Sequence, residues 1–177
     1  MRSASVLLAM AGCHPVNNPD MASLNRSDAE TLVIVTTEVA EIIALEQPTG
    51  GDHETPIEIR IDKDFTCLSG GSGHLSGSGQ YTPVPGKGFG PTTFDLTVLL
   101  VDCAFDSGTL SSLALTARGP IEVGAATTNL TYQGEVSWPP NSDSCEVTLK
   151  LFGVSFEDFD GTACAVRLTP DTLDQLP

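Results

Sequence analysis

The chain has 177 residues, with 8 lysines and arginines against 23 aspartates and glutamates for a formal charge of −15, and five cysteines. A field of that sign repels phosphate backbones, and eight scattered cations do not build the basic patch that a nucleic-acid interface needs. The length suits one domain with a real core, and 40% hydrophobic against 18% charged residues excludes the signature of disorder.

The chain begins Met1-Arg2-Ser3, a short basic stretch, and continues through an apolar run to Gly12 and Cys13. This is the pattern of a secretory signal, and the run falls well short of the roughly 20 apolar residues of a spanning helix. Met10-Ala11-Gly12-Cys13 resembles the lipobox of bacterial lipoprotein precursors, in which a cysteine after small residues is diacylated on sulfur and becomes residue one of the mature chain. The resemblance implies a signal peptide over 1–12, lipid attachment at Cys13, and a membrane partner reached through acyl chains. Two or more such chains anchor stably, at about 0.8 kcal/mol per buried methylene. In that family an aspartate after the cysteine tends to mark inner-membrane retention. His14 occupies the position here, so the resemblance implies the outer membrane, on its periplasmic or surface face, where the cell has one.

Residues 13–26 carry Pro15, Pro19 and three asparagines without hydrophobic periodicity and read as a tether to a single domain over 27–177. Ser27-Asp28-Ala29-Glu30 matches a capping box, and Leu32, Val35, Val39, Ile42 and Ile43 follow at helical spacing until Pro48 and Gly50-Gly51. The β-branched run Val33-Ile34-Val35-Thr36-Thr37 competes as a strand. Nearly twenty residues without a turn signal favour the helix.

Beyond Gly51 the period becomes two. Ile57, Ile59 and Ile61 alternate with Glu58, Arg60 and Asp62 as a strand buried on one face. The serine- and glycine-rich stretch 69–79 reads equally as a flexible loop or as a strand with glycines at close approaches, and 81–91 reads as a Pro/Gly loop. Phe94, Leu96, Val98 and Leu100 form one face of the next strand. Leu99 and Val101 fall on the other, which predicts a strand covered on both sides at the sheet centre. Asp106-Ser107-Gly108 turns the chain into a strand through Leu110, Leu113 and Leu115. Leu130, Tyr132, Gly134, Val136 and Trp138 alternate with polar residues, as do Cys145, Val147, Leu149 and Leu151. Asp160-Gly161 reads as a hairpin turn returning through 163–168, and the residues from Pro170 onward read as frayed. The expected fold is mainly β: an antiparallel curved sheet or sandwich of six to eight strands with one N-terminal helix packed on it.

Without Cys13, the remaining Cys67, Cys103, Cys145 and Cys164 form an even set in an exported chain, which favours disulfides. Of three possible pairings, Cys67–Cys103 with Cys145–Cys164 joins neighbours in the expected strand order. No Cys-x-x-Cys pair exists, and the histidines stand at no zinc-ligand spacing to a cysteine.

No residue pattern demands catalysis. Gly70-Gly71-Ser72-Gly73 and Gly77-Ser78-Gly79 miss the nucleophile-elbow template and precede no helix. Asp52-His53-Glu54 reads as a solvated turn. Glu157-Asp158-Phe159-Asp160-Gly161 resembles part of an EF-hand loop but puts Phe156 and Arg167 at the first and last ligand positions. Tyr81, Phe89 and Phe94 read as local core, and Trp138 as core or rim. The expectation is a non-enzymatic lipoprotein of the bacterial envelope, without cofactor or metal, with a structural or binding role toward a protein or small-ligand partner. A small-ligand or Ca²⁺-binding carrier is the alternative, and a periplasmic hydrolase the second.

Overall fold

A computed structural model describes residues 24–46, 55–84, 90–121, 128–139, 144–153 and 158–177. The order of elements is α1 (Arg26–Leu45), β1 (Ile57–Thr66), β2 (Ser72–Tyr81), β3 (Thr92–Phe105), β4 (Gly108–Ile121), β5 (Thr128–Ser137), β6 (Cys145–Gly153), β7 (Asp158–Ala163), β8 (Val166–Leu168) and α2 (Pro170–Leu173). The strands form one antiparallel sheet in the order β1 to β8, each hydrogen-bonded to its successor in sequence. It is a single open sheet, not a sandwich.

Period-two alternation decides which side chains leave each strand toward α1. On β3 the even positions from Phe94 to Leu100 are buried while Asp95, Thr97, Leu99 and Val101 face outward. Cross-strand partners point to the same face, so Leu96 lies between Gly77 and Ala117, and Tyr132 between Ala117 and Leu149. Eight strands at ~4.8 Å spacing would span roughly 34 Å if flat, against a helix about 10 Å wide. Inward residues are nonetheless buried at both ends of the sheet, Ile61 in β1 and Leu168 in β8. The sheet therefore curls around α1. Gly134 permits this: at φ 155° it sits against the Ala114 carbonyl, where a Cβ would strike the neighbouring backbone.

The helix fills the interior with Leu32, Val35, Val39 and Ile43. Fully burying a side chain of this size contributes about 1.5–3 kcal/mol. The Tyr132 hydroxyl, wholly buried, donates to the Thr36 carbonyl at 2.9 Å. That burial pushes the phenol's pKa well up, so it stays neutral and available as a donor. Lys63 of β1 pairs with Glu46 at the far end of the helix.

At the near end, Asp102 adopts φ 51°, and it and Ser111 opposite it are skipped in the β3–β4 register. Alternation changes phase there on both strands, turning Cys103, Phe105 and Leu110 inward. The hairpin tip then meets the start of α1, where Ser27 donates to the Ser107 carbonyl and the Thr31 and Ser107 hydroxyls lie 2.8 Å apart. Ser27 is thus engaged elsewhere, and the helix is capped by Asn25, whose side chain accepts from the Asp28 amide at 2.9 Å. The cap therefore falls two residues before the expected one, and it is a single side-chain cap in place of the expected capping box.

Several further expectations change. Stretch 69–79 is mostly strand β2, paired on both sides. Asp160-Gly161 lies inside β7, where Gly161 faces the Thr148–Leu149 backbone too closely for a side chain. The turn falls instead at Cys164 and Ala165, at φ 49° and 64°, the geometry of a two-residue hairpin. β3 is interior but the midline of the sheet runs between β4 and β5, and its outer face is uncovered, with Leu99 43% and Val101 55% exposed. Residues 170–173 form a helical turn in which Thr169 and Thr172 make a reciprocal cap.

Candidate functional site

Because one helix covers only the inner face, the outer face of the sheet is laid open to solvent. Its side chains fall in rows set by the register. One row runs Asp62, Ser76, Thr97, Thr116, Gln133, Thr148, Thr162, Arg167. The next runs Arg60, Ser78, Asp95, Arg118, Thr131, Lys150, Asp160.

On β4, β5 and β6 these rows enclose a shallow depression of 430 Å³ lined by Thr116, Arg118, Gly119, Pro120, Asn129, Thr131, Gln133 and Lys150. Asn129, Thr131 and Gln133 are alternate residues of β5 and so share its outer face. Thr131 pairs with Arg118 on one side and Lys150 on the other. The floor is a hydroxyl, the two walls are cations, and an amide stands at each end.

The two cations differ in their partners. Arg118 Nε donates to Asp95 Oδ1 at 2.9 Å, and this hydrogen bond, with the charge of Asp95, raises the guanidinium's pKa further. Lys150 pairs in register with Asp160, yet that carboxylate is taken by Arg167 of β8 at 3.1 Å. The Lys150 ammonium lies over the Phe152 ring, 5.9 Å from its centroid. Arg26, Arg60, Lys63, Arg118 and Arg167 all have carboxylate partners. Among the described residues Lys150 is the cation without one, in a chain where acids outnumber bases 23 to 8.

A second polar cluster stands at the β1 edge, where His74 Nδ1 lies 2.7 Å from Asp64 Oδ1 and Nε2 lies 3.4 Å from Asp62 Oδ1. Both ring nitrogens face carboxylates, and no nucleophile hydrogen-bonds to the imidazole among the described residues. No group of three or more His, Cys, Asp or Glu is placed to hold a metal ion among those residues.

Of the residues singled out from sequence, the cysteines are brought together as expected. Cys67 bonds Cys103 with Cα atoms 5.5 Å apart, and Cys145 bonds Cys164 at 5.0 Å. The first links the end of β1 to β3, the second the start of β6 to the β7–β8 turn. Cys13, the Asp52-His53-Glu54 triplet, Glu157 and Phe89 lie outside the described residues. Tyr81 and Phe94 are buried, and Trp138 packs half-buried against the core. The depression was missed by the sequence reading because its lining consists of the polar half of alternating strands, which resembles an ordinary solvated face. The available signal was Lys150, a cation at an outward position among many acids. No protein-family model, curated protein or solved structure matches the chain.

Proposed function

We propose that this is an exported lipoprotein without catalytic activity of its own, held to the bacterial envelope by acyl chains on Cys13, whose open sheet face binds a partner or ligand. The observation that carries the binding role is the contrast between the faces: one is dry, disulfide-braced and filled by α1, while the other presents polar rows without a covering layer. The filled interior favours the outer face over a carrier cavity between helix and sheet, since Tyr132, Phe94, Leu32 and Ile43 occupy that space. Lipid attachment rests on the lipobox-like residues 10–13. No described helix is long and apolar enough to cross a membrane, so in this reading the acyl chains supply attachment. The acidic surface adds no attraction to anionic headgroups.

Expression of the full chain in a bacterium with an intact lipoprotein-processing pathway tests the anchor. The wild type is expected in the membrane fraction with an intact mass that includes a diacylglyceryl group on Cys13, and Cys13→Ala is expected to be soluble. Equal membrane partitioning of the two proteins overturns the anchor.

A further inference from the structure

We propose that the depression centred on Thr131 is a binding site for a small, hydroxyl-rich oxyanion, namely a sugar acid or a sugar phosphate. The proposal rests on the reading of the open face as a binding surface and assigns a ligand class to one place on it.

The charge pattern along the row carries the argument. It reads Asp95, Arg118, Thr131, Lys150, Asp160, with acids at the ends, cations inside them and an uncharged hydroxyl in the middle. Arg118 is oriented by Asp95 through Nε, which leaves the two terminal guanidinium nitrogens to donate in parallel. Among the described residues Lys150 is without a carboxylate partner, Asp160 being paired with Arg167. Arg118 and Lys150 stand two strands apart, roughly 10 Å between backbones, on either side of Thr131. A single carboxylate or phosphate above that hydroxyl completes the alternation of charge.

The rest of the lining selects the body of the ligand. Asn129, Thr131 and Gln133 each supply both a donor and an acceptor, the requirement for neighbouring hydroxyls, and Thr116, whose hydroxyl donates to the Gln133 carbonyl, adds an acceptor. Divalent cations are repelled by Arg118 and Lys150. Polyanions are repelled by the −15 field, and Glu135 and Glu146 stand on β5 and β6 in the row just beyond the depression. A volume of 430 Å³ suits one sugar ring with its substituent.

Backbone amide shifts of the isotope-labelled protein test the site when it is titrated separately with D-glucuronate, glucose 6-phosphate and neutral glucose at millimolar concentrations. The expected result is saturable shifts at 116–120, 129–133 and 150 with one or both acids and none with glucose, weakening as salt is added. The stronger acid identifies the oxyanion as carboxylate or phosphate. Lys150→Gln and Arg118→Gln are expected to weaken binding about tenfold each, with spectra otherwise unchanged because both side chains are exposed. Thr97→Ala, outside the depression, is expected to bind as wild type. Absence of saturable shifts with either acid, or shifts that persist unchanged in the double variant, overturns the proposal. Saturation elsewhere on the open face, such as around His74, overturns this site while leaving that face as a binding surface. Saturation confined to inward-facing core positions overturns both.

Discussion

Leu96 and Thr97 are neighbours on β3 and belong to opposite sides of the molecule. Leu96 is 1% exposed, packed beneath α1 between β2 and β4, while Thr97 stands in the outer polar row with solvent above it. Stability resides on the inner face, where each side chain has partners on several elements. The outer face contributes little to holding the fold, so its composition is free to be set by recognition. One strand thus carries two kinds of constraint at alternate residues.

Truncation at these two positions gives the sharpest form of the comparison. Leu96→Ala is expected to lower unfolding free energy by about 2–5 kcal/mol through lost burial and a residual cavity, whereas Thr97→Ala is expected to stay within about 0.5 kcal/mol of wild type. Denaturant titrations of both variants give the difference, and equal losses would erase the distinction between the faces. Next in size is Tyr132→Phe, which removes the side-chain hydrogen bond from the sheet to the Thr36 carbonyl in the middle of α1. A loss of about 1 kcal/mol is expected, again read from the denaturant midpoint, with helix content unchanged because the Thr36 carbonyl keeps its place in the helical ladder.

The smallest effect lies on α1, the helix that fills the inner face. Burial, with the nearby charge of Glu41, raises the pKa of Glu38 above its ordinary 4.5. An acid whose folded-state pKa is raised favours the folded protein while protonated and loses that contribution as pH rises through its folded value. Glu38→Gln is therefore expected to be slightly more stable than wild type at neutral pH. That advantage should vanish below pH 4.5. Thermal melts across this range check the sign, and an advantage that grows on acidification would refute it.

The inner face was legible in the sequence because hydrophobic burial imprints its period on each element. The alternation at Ile57–Ile61, Phe94–Leu100, Leu130–Val136 and Val147–Leu151 identified strands, and α1 declared itself by spacing. The cysteine pairs followed once strand order was assumed. Features that depend on a neighbour were not legible. The sequence left 69–79 open between loop and strand, and β1 and β3 decide it by supplying ladders to this serine- and glycine-rich segment. Asp160-Gly161 carries a turn signature, but Gly161 is needed where β6 crosses close by. Leu99 and Val101 were assigned cover because apolarity was equated with burial, and a sheet with one helix has none to give its outer side. The depression escaped notice because cross-strand register, not sequence proximity, brings Arg118, Thr131 and Lys150 together.

The strictly sequential order of the strands has a kinetic consequence. Each strand pairs with the one before it, so the sheet can grow hairpin by hairpin across short connections, with little loop entropy to overcome at each step. The helix is different: Ser27 reaches a partner 80 residues away at Ser107, and Thr36 one 96 residues away at Tyr132. It is made first, and its full set of partners on the sheet is complete only once β5 is in place. Until then the growing sheet carries a bare apolar face, the species most prone to aggregation on the route to the native state, and the arrival of α1 closes that window.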